Sequence, residues 1–271
     1  MPNLPVLVAH RSQYKLKIVT WNVNSVKARL INIFNYINLV NPDIILLQET
    51  KTEDISFPID EFKKIGYFVE IYGQKSYNGV AILSKYKPSS VIKGLPNFKD
   101  DVQARYIECN INGIIISSIY APNGNPINSE KFDYKILWLN KLKEHIKNMI
   151  ISKNNFIIGG DWNIAPTDKD VYDPNLFLED SIFNIKAKRI FREIENFGLV
   201  DVFRIFNSSK DSYTYYDYQK NSWLHKLGVR IDHFIVSPYI ADKLISCDID
   251  EEERGKDKPS DHIPLWCKLE I

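Results

Sequence analysis

The chain has 271 residues, 44% hydrophobic and 25% charged, enough to bury a sizeable core as one large α/β domain or two small ones. A net charge of +1 announces no global basic field, although a few placed Lys or Arg suffice for phosphate contact. The scattered Cys109, Cys247 and Cys267 exclude a disulfide framework and a Cys-based zinc site and suit a reducing, cytoplasmic setting.

Residues 1–14 carry no secretory pattern and read as an N-terminal extension, open to disorder, before the first core strand. Short β-branched runs then predict strands at Leu16–Thr20, Asp43–Leu47, Tyr67–Tyr72 and Gly79–Leu83. Further strands are expected at Arg105–Ile111, Ile114–Tyr120, Phe156–Gly159, Ile231–Val236 and Pro264–Leu269. Helical spacing of apolar residues marks Val26–Val40, Ser129–Ser152 and Ile185–Phe197, the last stopped by Gly198. The alternating aromatics of Tyr213–Tyr218 suit a half-buried strand, and Asp248–Asp257 reads as a solvated acidic loop. No run is apolar enough over a membrane-spanning length.

Each half contains a helix followed by an apolar strand that ends in acid or amide. The tight turn at Asn112-Gly113 makes a hairpin, and many connections are too short for crossovers, so the sheets are mixed. The expected architecture is α/β: two sheets packed face to face with helices outside, one domain over residues 15–271.

Polar residues cluster where apolar strands end. Asn22 and Asn24 follow Ile18–Trp21, and Gln48-Glu49 follow Ile44–Leu47. Tyr120 ends Ile114–Ile119, Asp161 and Asn163 follow Phe156–Gly160, Asp232 lies in Val229–Val236, and Asp261-His262 precede Ile263–Trp266. Residues two apart on an extended segment share a side, so Asp161 and Asn163 sit together. Singly, each reads as a turn former, a cap or a loop start. Such clusters, converging on one rim, give a hard-oxygen donor set suited to Mg²⁺ or Mn²⁺ with substrate phosphate.

The ordered motifs Trp21–Asn24, Leu47-Gln48-Glu49-Thr50-Lys51, Tyr120-Ala121-Pro122-Asn123, Gly160–Asn163, Pro166-Thr167-Asp168, Arg230–Asp232 and Pro259–His262 resemble those of the exonuclease III family of AP endonucleases. That family lies within the endonuclease/exonuclease/phosphatase superfamily, and the resemblance runs from Lys15 to Ile271. It implies a four-layer α/β sandwich with two packed mixed sheets flanked by helices. It further implies a Mg²⁺-dependent repair nuclease, with Mn²⁺ able to substitute. This enzyme would cut duplex DNA 5′ to abasic sites and act at 3′-blocked ends as a 3′→5′ exonuclease and 3′-phosphodiesterase. A soluble monomer is expected. The alternative is a phosphodiesterase or phosphatase of the same superfamily acting on an RNA 3′ end, a phospholipid or an inositol phosphate.

By the same resemblance, Glu49 is the principal metal ligand, with Asn22, Asp261 and, indirectly, Asn24 completing its shell. A second cation could lie near Asp161, Asn163 and His262. Asp161 would activate water, Asn163 would hold it, His262 oriented by Asp232 would donate to a phosphate oxygen, and Tyr120 would meet the phosphate or leaving oxygen. Tyr215, Val229 and Ile231 fall on positions that admit a base-free deoxyribose. Lys27, Lys51, Lys75, Arg105 and Asn123 would meet backbone phosphates, contacts that carry no base sequence. Gln219 and Pro126 stand where some relatives carry residues that penetrate the duplex.

Overall fold

A computed structural model describes residues 15–208 and 212–271; the expected extension at 1–14 lies outside the described residues. In chain order the elements are β1 (Lys15–Asn22), α1 (Leu30–Val40), β2 (Ile44–Gln48), α2 (Ile59–Lys64), β3 (Phe68–Tyr72) and β4 (Val80–Ser84). The middle holds β5 (Ser90–Lys93), β6 (Tyr106–Ile111), β7 (Ile114–Tyr120), α3 (Glu130–Ile151), β8 (Asn155–Asp161) and α4 (Ile185–Glu195). The remainder is β9 (Val200–Asp201), α5 (Val202–Phe206), β10 (Asp232–Val236), α6 (Pro238–Ala241), β11 (Leu244–Ile249) and β12 (Leu265–Glu270).

The strands form two six-stranded sheets, ordered β11-β12-β1-β2-β4-β3 and β5-β6-β7-β8-β10-β9. Both are mixed, as expected. The parallel pairs are β1/β2 and β7/β8, and each is joined through one crossover helix, α1 or α3. These central pairs run side by side toward one rim, which places Asn22, Glu49, Tyr120 and Asp161 together.

Strand alternation builds the layers. Ile18, Ile44, Leu46, Ile116 and Ile157 face the core between the sheets. Their neighbours Val19, Ile45 and Leu47 turn outward against α1 and α2, where Ile33, Tyr36, Ile37 and Phe62 are buried. On the other side Phe156 and Ile158 meet Trp138, Leu139, Leu142 and Ile146 of α3 and Phe191 of α4. Both faces of each central strand are therefore buried, which explains their unbroken apolar runs.

Several expectations are corrected. α1 begins at Leu30, not Val26, because Asn24 and Ser25 take φ of 45° and 93° and the amides of Ser25 and Val26 bond the carbonyls of Glu49 and Thr50. The tyrosine run is no strand: Tyr215 alone makes bridges, to Val229 on one side and His262 on the other. The acidic segment is not a solvated loop. Residues Glu251–Gly255 form a 3-10 turn with Glu253 and Arg254 buried, and Asp250 accepts bonds from Tyr36 Oη (2.5 Å) and Trp266 Nε1 (3.0 Å). The short or partly exposed β5, β9, β11 and α2 carry too little periodicity to be seen in the sequence.

Candidate active site

The rim between the sheets opens into a cavity of about 490 Å³. Glu49, Tyr120, Asn123, Asp161, Asn163, Tyr215, Val229, Ile231, Asp261 and His262 all line it, so ten sequence-predicted residues are brought together. Asn22 and Asp232 are buried directly behind, through hydrogen bonds to this group.

β8 delivers its carboxylate by thinning the backbone. A Cβ on Gly160 would lie 2.1 Å from the Ile119 carbonyl oxygen of β7, so only glycine lets the two strands approach there. Asn163 and Glu49 leave their strands at φ of 50° and 48°, a left-handed backbone that turns both side chains toward the cavity. Asn163 is fixed by its amide N–H to Asp161 Oδ1 (2.9 Å), by Nδ2 to the Ala121 carbonyl (2.9 Å) and by Oδ1 accepting from Asn123 Nδ2 (3.3 Å).

One amide joins the two sheets. Asn22 Nδ2 donates to Glu49 Oε1 (2.9 Å) and to Asp161 Oδ2 (3.0 Å). On the opposite side, His262 Nε2 stands 3.7 Å from Asp161 Oδ2, while its Nδ1 bonds Asp232 Oδ2 at 2.8 Å. Burial pushes the Asp161 carboxyl up to about 7, with Asp232 and Glu49 adding repulsion against the pull of His262. Burial would lower His262, but Asp232 and Asp161 overcome it and hold the imidazole up to about 10. Burial likewise raises Glu49, yet the Asn22 amide and the Lys51 ammonium keep it below its ordinary value. Tyr120 is pushed well above the usual phenol range by burial and by the Glu49 and Asp161 charges.

Glu49, Asp161 and His262 each offer a ligand atom within 4.8 Å of the others, a group able to hold a metal ion. Two carboxylates in this group suit a hard divalent cation. Asp232 Oδ1 is buried without a partner among the described residues, so the dyad keeps an unspent acceptor beside it. Asp261 lines the cavity but stands outside the three; its Oδ1 accepts from Asn24 Nδ2 at 3.1 Å.

The expected phosphate-binding cations divide. Lys27 and Lys75 are exposed and do not line the cavity. Lys51 turns inward, with Nζ 2.9 Å from Glu49 Oε2 and 2.5 Å from Asn24 Oδ1. Arg105 stacks over the Tyr120 ring at 4.8 Å and donates to its carbonyl (3.2 Å), so it positions that tyrosine. Gln219 lines the cavity mouth; Pro126 does not.

The apolar half of the cavity is wider than expected. Tyr172, Phe177, Ile182 and Leu227 join Tyr215, Val229 and Ile231. Their connections have no hydrophobic period, so spacing could not have found them. Arg230, read only as part of a motif, is 1% exposed and bonds Asp170 (2.7 Å) and Asp201 (2.7 and 3.2 Å), anchoring the segment that enters β10. Lys135 is fully buried beneath the site. Its one signal is position: three after Phe132 and four before Leu139, it falls on the apolar stripe of α3.

Sheet sandwich and site together define a class: a phosphoester hydrolase whose carboxylates, amides and paired imidazole sit on the rim between two sheets. The model of the endonuclease/exonuclease/phosphatase family matches residues 19–262. Exodeoxyribonuclease III of Haemophilus influenzae is 31% identical over 266 residues, covering 94% of this chain and 100% of that protein. An AP endonuclease from Archaeoglobus fulgidus superposes with a TM-score of 0.91 at 36% identity, covering 94% of this chain and 100% of that one. A 3′ phosphatase from Neisseria, bound to a product DNA hairpin, superposes at 0.92 and 36% identity over 94% of this chain and 100% of that one. The chain belongs to the endonuclease/exonuclease/phosphatase family, on its branch of exonuclease III and AP endonucleases, the DNA repair nucleases. Among the described residues, no helix is long and apolar enough to cross a membrane.

Proposed function

We propose that the protein, acting as a monomer in the reducing cytoplasm, hydrolyses the phosphodiester 5′ to abasic sites in duplex DNA and removes 3′-blocking groups, with Mg²⁺ held by Glu49 and neighbouring oxygens. The observation that carries this reading is the junction of the cavity's two halves. The Tyr215 ring lies edge-on to the His262 ring at 5.0 Å, so the apolar wall begins where the acid and imidazole end. A sugar without its base fits such a wall, and flipping it out of the duplex is least costly where pairing and stacking are already lost.

A cation held there would supply positive charge to the phosphate. Asp161, the buried carboxylate with a raised proton affinity, accepts a proton from the attacking water. Asn163 holds that water through its side-chain amide. His262, kept protonated by Asp232, donates to a non-bridging phosphate oxygen. Tyr120, held by Arg105, reaches the leaving oxygen. Asn22 would hold Glu49 and Asp161 in place through its amide N–H groups, while its Oδ1 accepts from the Asn24 N–H (3.1 Å).

The test is a labelled duplex with one abasic site, incubated with Mg²⁺ and with EDTA. The expected result is a nick 5′ to the site with Mg²⁺ only. Cleavage that EDTA leaves untouched, or a preference for an RNA end or inositol phosphate over the abasic duplex, overturns the reading.

A further inference from the structure

Lys135 is 0% exposed, and among the described residues it forms no ion pair. Its Nζ donates to three backbone carbonyls: Asn163 (2.7 Å), Asn123 (3.0 Å) and Ser181 (3.1 Å). An ammonium has three donors and no acceptor, so the cradle uses every proton it has. The three carbonyls come from the two connections that frame the cavity: Asn123 follows β7, and Asn163 and Ser181 lie near the two ends of the segment between β8 and α4. We infer that Lys135 is a positioning residue for the hydrolysis, setting Asn163 and Asn123 from beneath through their carbonyls.

The local geometry supports a specific role. Asn163 stands at φ 50°, a backbone that needs outside bonds to persist, and its side chain and that of Asn123 bond each other in the cavity. One cation thus holds both members of this pair. Ser181 Oγ also donates to the Asn123 carbonyl, and Asn125 Oδ1 accepts from the Ser181 N–H (2.9 Å), so the interlock continues between the same loops. Gly124 makes room for the lysine stem, since a Cβ there would come within 2.6 Å of Lys135 Cδ.

The inference rests on the role of Asn163 in hydrolysis and not on abasic specificity, because its test runs on any duplex the wild-type protein cuts. Lys135→Met keeps the stem and removes the ammonium. Its kcat should fall about 100-fold through misplacement of Asn163, with KM changed less than about threefold. In an Asn163→Ala background the same substitution should cost less than about threefold, since the residue it acts through is gone. If Lys135→Met does not fold, Lys135→Gln, with two donors on a shorter stem, replaces it in the same cycle. A folded variant with unchanged kcat, or a loss as large in the Asn163→Ala background as without it, overturns the assignment. Failure of both variants to fold makes Lys135 a fold anchor and overturns it as well.

Discussion

His262 Nδ1 bonds Asp232 Oδ2 at 2.8 Å across a separation of 30 residues, and both groups are buried. The bond fixes the imidazole with Nε2 toward Asp161 and supplies the leading upward pull on its proton affinity.

Asp232→Asn should lower kcat about 10- to 100-fold, as loss of a carboxylate that orients an imidazole does. The pH profile should move with it. His262 serves as the protonated form, so activity is kept below its value of about 10 and lost above. Asp161 serves as carboxylate, so activity rises through about 7. Asp232 raises both groups, and its neutralisation should shift both limbs to lower pH. A profile of kcat against pH with unmoved limbs would refute this account of the dyad.

Glu49 and Lys51 predict opposite changes in metal requirement. The Lys51 ammonium sits 2.9 Å from Glu49 Oε2, on an oxygen a cation would use. Glu49→Gln should reduce kcat by about 100-fold or more and raise the Mg²⁺ concentration for half-maximal rate. Lys51→Ala should lower that concentration, since a competing charge is gone. Mg²⁺ titration of the three proteins checks both directions; a Lys51→Ala protein that needs more Mg²⁺ would show that the lysine does not compete.

Much of this was legible in the sequence for a physical reason. Central strands are buried on both faces, so their apolar runs are long and their ends abrupt, and Asn22, Glu49, Asp161 and His262 stand out there. The sheet rim gathers such ends regardless of the loops between them. The inward turn of Lys51, Arg105 and Lys135 was not legible because charge alone does not show direction, and each is drawn in by an acceptor that the fold presents: Glu49, the Tyr120 carbonyl, the loop carbonyls. Phe177 ends a short 3-10 turn and Tyr172 lies in the loop before it, segments whose direction only tertiary packing sets.

The apolar wall should act on the sugar and not on the phosphate. Val229→Ala with Ile231→Ala removes methyl groups at positions 3% and 4% exposed. Lost contact of about 1–3 kcal/mol corresponds to a kcat/KM about 5- to 150-fold lower on the abasic duplex. Hydrolysis of a small aryl phosphodiester, which does not fill the wall, should stay within about threefold. Equal losses on both substrates would place these residues in support of the catalytic groups instead.

Arg230 carries the stability of the segment that leads into β10. Its guanidinium is buried with Asp170 and Asp201, each partner 5% exposed or less, and also meets His233 Nδ1 at 2.9 Å. Burial alone would raise both carboxyls, but Arg230 overrides it and holds them below their ordinary values. Groups lowered on folding contribute fully above their unfolded range, near pH 4, and lose that contribution as pH falls toward the lower folded values. Acid should therefore destabilise the protein steeply below about pH 4. Arg230→Met, which strands the buried Asp201 carboxylate and leaves Asp170 with Arg204 as its one guanidinium partner, should cost about 3–5 kcal/mol at neutral pH. Because the Asp201 carboxyl is then raised by burial, acid should destabilise this variant less than the wild type. Urea unfolding at pH 7 and at about pH 3 measures both, and a variant as acid-sensitive as the wild type would locate the sensitivity elsewhere.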